Sequence, residues 1–283
     1  MKKIAKFIPF VFLFTLIGCE SGHKENIVFT SFYPVYDFTS RVVKDLYEIE
    51  NLTPPGSEPH DFELSPKKIA SLIDSKALMI NGLNMESWAK DLPSKVLEKT
   101  CVVSENIETI TTMGQIDPHI WLNPLNAIKE MENIASFMSK IDEDNKDTYS
   151  INYEIAKSEF LALDNELLEI SNNLTQKNIV VAHAAYGYMC DRYGLNQIAI
   201  NGIEPDQEPT AKTIEAIIEA VDTYHINTIF TEELISSKVS EIIVKECGVK
   251  VEVLSPLESI DDGEDYISVM KENMQKIKEA SHD

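Results

Sequence analysis

Only four cysteines occur in the 283 residues, and no two stand in C-x-x-C spacing. A zinc ribbon and a thioredoxin-like pair are therefore excluded, and a disulfide framework is not expected. Basic residues are also scarce, 25 Lys+Arg against 47 Asp+Glu, for a formal charge of −22. Nucleic acid is excluded as a partner, because phosphate binding needs clustered Lys and Arg. H-E-x-x-H and G-x-S-x-G are absent, so two common hydrolase signatures are missing. No low-complexity tract is present, and after the first twenty residues no apolar run is long enough to span a membrane. What remains is ordinary globular composition, 43% hydrophobic, enough for one large or two medium domains.

The first residues read as an address. Lys2, Lys3 and Lys6 precede an apolar stretch from Phe7 to Ile17, the pattern of a signal peptide over residues 1–18. Leu16-Ile17-Gly18-Cys19 resembles a bacterial lipobox, which makes Cys19 the expected lipid anchor and residues 19–26 a tether. This places the chain on the extracytoplasmic face of a bacterial membrane. Cys101, Cys190 and Cys247 are an odd set, read as inert free thiols.

The rest has one rhythm, heard twice. Apolar β-branched runs at Ile27–Phe32, Tyr47–Leu52, Ala77–Ile80 and Cys101–Ser104 alternate with helical spacing at Val35–Leu46, Ser65–Ile73, Trp88–Leu97 and Asn123–Ile141. Ser65-Pro66 and Asn123-Pro124 are cap-plus-proline helix starts. The stretch 145–175 contains no Gly or Pro through Leu174 and carries one apolar stripe, Tyr149, Tyr153, Ala156, Phe160, Leu163 and Leu167, which predicts one long helix. Strands at Ile179–Ala182, Gln197–Ile200, Thr228–Thr231 and Val249–Leu254 then alternate with helices again. The fold class expected is α/β: two similar lobes (27–144 and 176–283), each a mostly parallel four-stranded sheet flanked by helices, joined by one long rigid helix. A ligand belongs in the crevice beyond the carboxyl ends of the strands.

Three of the six histidines share a context. His60 lies in Glu58-Pro59-His60-Asp61-Phe62 and His119 in Asp117-Pro118-His119-Ile120-Trp121, each an acid-Pro-His-x-aromatic segment leading to a capped helix. His183 closes the strand Ile179–Ala182. Three unrelated histidines, each satisfied locally, would also account for this set. Their equivalent places at strand exits favour one shared metal, although no H-x-x-x-H spacing supports it. His23, His225 and His282 lack that context.

These segments, together with Ser31-Phe32-Tyr33-Pro34-Val35-Tyr36-Asp37-Phe38, Ala182-His183-Ala184-Ala185-Tyr186-Gly187-Tyr188 and Leu254-Ser255-Pro256-Leu257-Glu258, occur in an order that resembles the zinc-binding lipoproteins of bacterial metal ABC transporters, the ZnuA/AdcA-like, cluster A-I solute-binding family. The resemblance covers nearly the whole chain after the leader. It implies a metal between two lobes, with His60, His119 and His183 as ligands and Glu258 as the fourth. It also implies Zn2+ as transported ligand, a membrane permease as partner, and no enzymatic activity; a single copy of the chain is expected to suffice. The His-rich loop of many zinc members is missing, since the run 88–115 has no histidine.

Three imidazoles and a carboxylate suit tetrahedral zinc, whereas manganese prefers more oxygen. Glu204, Asp206 or a water are alternatives for the fourth place, and Glu232 and Glu233 follow a strand in the same way. Glu58, Asp61, Asp117 and Glu204 are candidates to brace the rings. Three other functions compete: a manganese receptor, a zinc hydrolase with an open water position, and an adhesin with a structural metal.

Overall fold

A computed structural model describes residues 26–205, 209–233, 238–260 and 263–282. The expected signal peptide, Cys19, all but the last residue of the expected tether, and Asp206 lie outside the described residues. The N-terminal lobe contains β1 (Ile27–Thr30), α1 (Tyr33–Val43), β2 (Glu48–Asn51), α2 (Pro66–Ile73), β3 (Ala77–Ile80), α3 (Ser94–Leu97), β4 (Thr100–Val102), β5 (Thr111–Thr112), β6 (Gln115–Ile116) and α4 (Pro124–Ile141). After α5 (Lys146–Asn172) come β7 (Asn178–Val181), α6 (Gly187–Tyr193), β8 (Asn196–Ala199), α7 (Ala211–Thr223), β9 (Thr228–Thr231), α8 (Lys238–Cys247), β10 (Lys250–Val253) and α9 (Tyr266–His282). The two main sheets are four-stranded and wholly parallel, in the orders β2-β1-β3-β4 and β10-β9-β7-β8. This is the expected α/β architecture, with the expected long connecting helix.

Alternation along the strands sets the layers. In the first sheet Phe29, Leu78 and Ile80 pack on Leu72, Trp88 and Val96. Val28, Ala77 and Met79 face the other way, into a core built with α1, α4 and α5. In the second sheet Val180 and Ile229 meet α7 and α8, while Ile179, Val181 and Phe230 join the same core through α5 and α9. One apolar cluster therefore runs through both lobes along the 27-residue α5. Its stripe of Tyr149, Tyr153, Ala156, Phe160, Leu163 and Leu167 is buried. At ~1.5 Å per residue the helix is roughly 40 Å long, enough to carry both lobes.

Two stretches depart from expectation. The helix expected over Trp88–Leu97 is divided into a 3-10 turn, Ser87–Asp91, and the one-turn α3. Pro93 lies between them, and a proline disfavours helical geometry at the residue before it. The hairpin β5–β6 was not expected; its turn has Met113 at φ 51° and Gly114 at φ 84°, the left-handed pair a two-residue hairpin turn requires. Cys101, Cys190 and Cys247 are free, and burial pushes the Cys190 thiol up to about 12, consistent with an inert group. No described helix is long and apolar enough to cross a membrane.

Candidate metal centre

Each of the four side chains leaves its element in a constrained segment. Ser65 caps α2 by accepting from Lys68 N–H at 3.2 Å, with Pro66 in the first turn; this fixes the chain beyond His60. Asn123 caps α4 by accepting from Leu125 N–H at 2.9 Å, also with a proline in the first turn, fixing the chain beyond His119. His183 lies two residues beyond the end of β7. Glu258 follows β10 and is preceded by Leu257, whose φ is 64°. A buried leucine in the left-handed region is strained, and the fold holds it there with Leu257 fully buried and its N–H on Ser255 Oγ at 3.1 Å.

The structure brings His60, His119, His183 and Glu258 to one point, two from each lobe. His119 Nε2 lies 3.2 Å from His60 Nε2 and 3.3 Å from His183 Nε2. Glu258 Oε1 lies 3.6, 3.5 and 3.7 Å from the Nε2 atoms of His60, His119 and His183. A tetrahedral zinc with bonds of about 2.0–2.1 Å has donor–donor edges of roughly 3.3–3.4 Å. His119, His183 and Glu258 are buried, and the His60 side chain is 8% exposed.

The rings are oriented from behind. His119 Nδ1 lies 2.7 Å from Asp117 Oδ1, and His183 Nδ1 lies 2.8 Å from Glu232 Oε1. A carboxylate there takes an N–H from Nδ1, which leaves Nε2 as the free nitrogen of a neutral ring. Two such lone pairs facing each other at 3.3 Å repel, and only a cation, metal or proton, relieves them. Burial works against charge on both rings, yet Asp117 and Glu258 raise His119, and Glu232 with Glu258 raises His183 well above the ordinary histidine range. Burial alone would raise Glu258, but the three imidazoles hold it well below the ordinary carboxylate range. Its Oε1 makes no hydrogen bond among the described residues. Glu58 accepts from His60 N–H at 3.2 Å, and burial together with the charge of Glu258 pushes its carboxyl up to about 8.

Glu204 is exposed and stands outside the four-residue group. Glu232 braces His183 instead of entering the donor set, and Glu233 lines a small cavity beside Glu258. Among the bracing residues, Asp117 lies two positions from its histidine and is readable by proximity. Glu232 is 49 positions from His183, and only its place at the end of the neighbouring strand β9 signalled it.

The lobes are stitched on both sides of this point. Trp121 Nε1 donates to Pro256 O at 2.8 Å, and Tyr266 Oη donates to Trp121 O at 2.6 Å. Tyr188 Oη donates to Asp117 O at 2.9 Å and accepts from Ile110 N–H at 3.1 Å. Here α6 begins with Gly187, where a Cβ would lie 2.7 Å from Asp117 Oδ2 and 2.8 Å from Ile110 Cδ1. No larger residue fits without moving the support of His119.

Comparison with known proteins gives one picture. A family model described as zinc-uptake complex component A, periplasmic, matches residues 28–280. The chain is 34% identical to the zinc-binding lipoprotein AdcA of Streptococcus pneumoniae over 99% of its own length, but spans only 61% of that relative. It is 33% identical to the high-affinity zinc uptake system protein ZnuA of Bacillus subtilis, covering 92% of this chain and 89% of the other. The structure of the laminin-binding protein Lmb of Streptococcus agalactiae, described as a bifunctional protein with adhesin and metal-transporting activity, superposes with a TM-score of 0.84 at 32% identity, over 90% of this chain and 98% of that one.

Proposed function

The chain belongs to the zinc-uptake complex component A family, and from that premise we propose that it captures Zn2+ as cargo between its lobes and delivers it to the membrane permease of an ABC transporter. The proposed ligands are His60, His119, His183 and Glu258. A lipid on Cys19 would hold the protein at the extracytoplasmic face of the membrane. One observation carries the reading: two buried Nε2 atoms face each other at 3.3 Å, each on a ring whose Nδ1 is committed to a carboxylate. Such a pair is built for a cation.

Three nitrogen donors and one oxygen favour zinc over manganese, calcium or magnesium. With Glu258 in the fourth place no open position remains for an activated water, which speaks against hydrolysis. The test is metal content by mass spectrometry of protein purified without added metal, followed by chelator competition. Zinc at one equivalent is expected, with near-complete loss for His183→Ala. Glu258→Ala should lose less affinity than His183→Ala, because water fills the vacated place. Equal zinc content in wild type and His183→Ala would end the assignment, and manganese in preference to zinc would move the cargo to the other metal.

A further inference from the structure

Asp117, which braces His119, is itself held from both lobes. It stands at the base of the hairpin β5–β6, one step beyond the pair Thr111–Ile116. Regular antiparallel pairing would have Ile110 and Asp117 exchange two N–H···O=C bonds. One forms directly, from Asp117 N–H to Ile110 O at 3.0 Å. The hydroxyl of Tyr188 takes the place of the other, accepting from Ile110 N–H at 3.1 Å and donating to Asp117 O at 2.9 Å. Tyr188 lies in the first turn of α6 and is buried. A side chain of the C-terminal lobe therefore completes a rung in a hairpin of the N-terminal lobe.

The same hairpin fixes the Asp117 side chain. Its Oδ1 accepts from His119 N–H at 3.0 Å and faces His119 Nδ1 at 2.7 Å. Its Oδ2 accepts from the Thr112 hydroxyl at 3.0 Å. Both carboxylate oxygens are committed, and Asp117 is fully buried. The first turn of α6 presses on this group as well, since a Cβ on Gly187 would lie 3.3 Å from Thr112 Oγ1. The orientation of the His119 ring thus depends on one hydroxyl from its own lobe and one from the other.

We propose that Thr112 and Tyr188 are positioning residues for His119, acting through Asp117, so that the grip on the ion depends on α6 resting against the hairpin. The inference rests on the zinc reading. A hydroxyl inserted between an N–H and a C=O spreads them by the length of a second hydrogen bond, and the rung has two arrangements. With Tyr188 in place it is bridged and open. With Tyr188 withdrawn, Ile110 N–H loses its acceptor and closes directly on Asp117 O, because a buried donor left unpaired is costly. That closure draws Asp117 toward β5 and away from the place where its carboxylate is shared by Thr112 and His119. It is a discrete element with two states, the physical requirement for coupling distant motions.

Competition between the protein and a chelator for Zn2+ tests this. Tyr188→Phe keeps the ring and removes the bridge; Thr112→Val keeps the shape and removes the donor. Each should raise Kd by about 3–10-fold, the scale of one hydrogen bond, whereas Thr112→Ser should bind as wild type does. In an Asp117→Ala background neither substitution should weaken binding further, a non-additivity that a general loosening of the fold would not produce. An unchanged Kd in either variant, beside a wild type that binds one equivalent of zinc, would overturn the proposal and leave the zinc reading standing. Losses that persist in full in the Asp117→Ala background, or Thr112→Ser as weak as Thr112→Val, would do the same. A wild type that takes up no zinc would overturn both.

Discussion

His119 is held by Asp117 on one side and faces three other donors on the other, and most of the chemistry of the centre is set by such single contacts. Removing the bracing charge while keeping its shape isolates that effect. Asp117→Asn and Glu232→Gln should each weaken zinc binding by about 10–100-fold with little change in far-ultraviolet circular dichroism, measured by chelator competition. Protons compete for the same nitrogens. Asp117, Glu232 and Glu258 raise His119 and His183 above the ordinary histidine range in the empty protein, so protons compete with zinc at these rings more strongly than at a free imidazole. Loading should therefore release protons wherever the rings are charged in the empty protein, and affinity should begin to fall above the ordinary histidine range as pH declines. The same raised values stabilise the empty fold at pH below the unfolded histidine value, and that gain is lost as pH rises through the folded values. Calorimetric titrations in two buffers of different ionisation enthalpy should give different apparent heats; identical heats would contradict this. The three histidines stood out in sequence because proline and a helix cap flank His60 and His119, and a strand end carries His183, whereas Glu258 was named only by the family resemblance. Glu232 was ambiguous because its role depends on β9 lying beside β7, which no local pattern encodes.

Among the elements, α4 carries an unusual residue. Glu130 is fully buried and neither carboxyl oxygen has a hydrogen-bond partner among the described residues. Burial, and after it the charge on Glu86, pushes its carboxyl well above the ordinary range. A carboxyl raised in this way contributes stability below its unfolded value, and that contribution is lost as pH rises through the folded value. Glu130→Gln removes the titration, so its melting temperature should exceed that of wild type by a margin that grows toward alkaline pH, on the order of 1–3 kcal/mol in stability. A margin independent of pH would contradict this. Elements with strong periodicity, such as α5, were readable to within a few residues, because a gap-free apolar stripe leaves one solution. Ser87–Leu97 was not, because its apolar spacing suited a helix and only Pro93 spoke against it. The hairpin at Thr111–Ile116 was too short for any periodicity, and its one local signal was Gly114 after Met113.

For the whole molecule, the shared apolar cluster and the Trp121, Tyr188 and Tyr266 hydrogen bonds join the lobes without any metal. Chelator-stripped protein should keep its secondary structure and unfold cooperatively. Added zinc should raise the melting temperature, by an amount that corresponds to about 2.7 kcal/mol at a hundredfold excess over Kd. Unfolding on metal removal, followed by circular dichroism, would instead assign the ion a structural role. The even division of the proposed ligands between the lobes has a final consequence. An ion held by one pair of donors from each side cannot be surrendered donor by donor while the jaws stay shut. Parting the lobes by about one bond length would break both bonds of one pair at once, so release of such an ion would be coupled to movement of one lobe against the other.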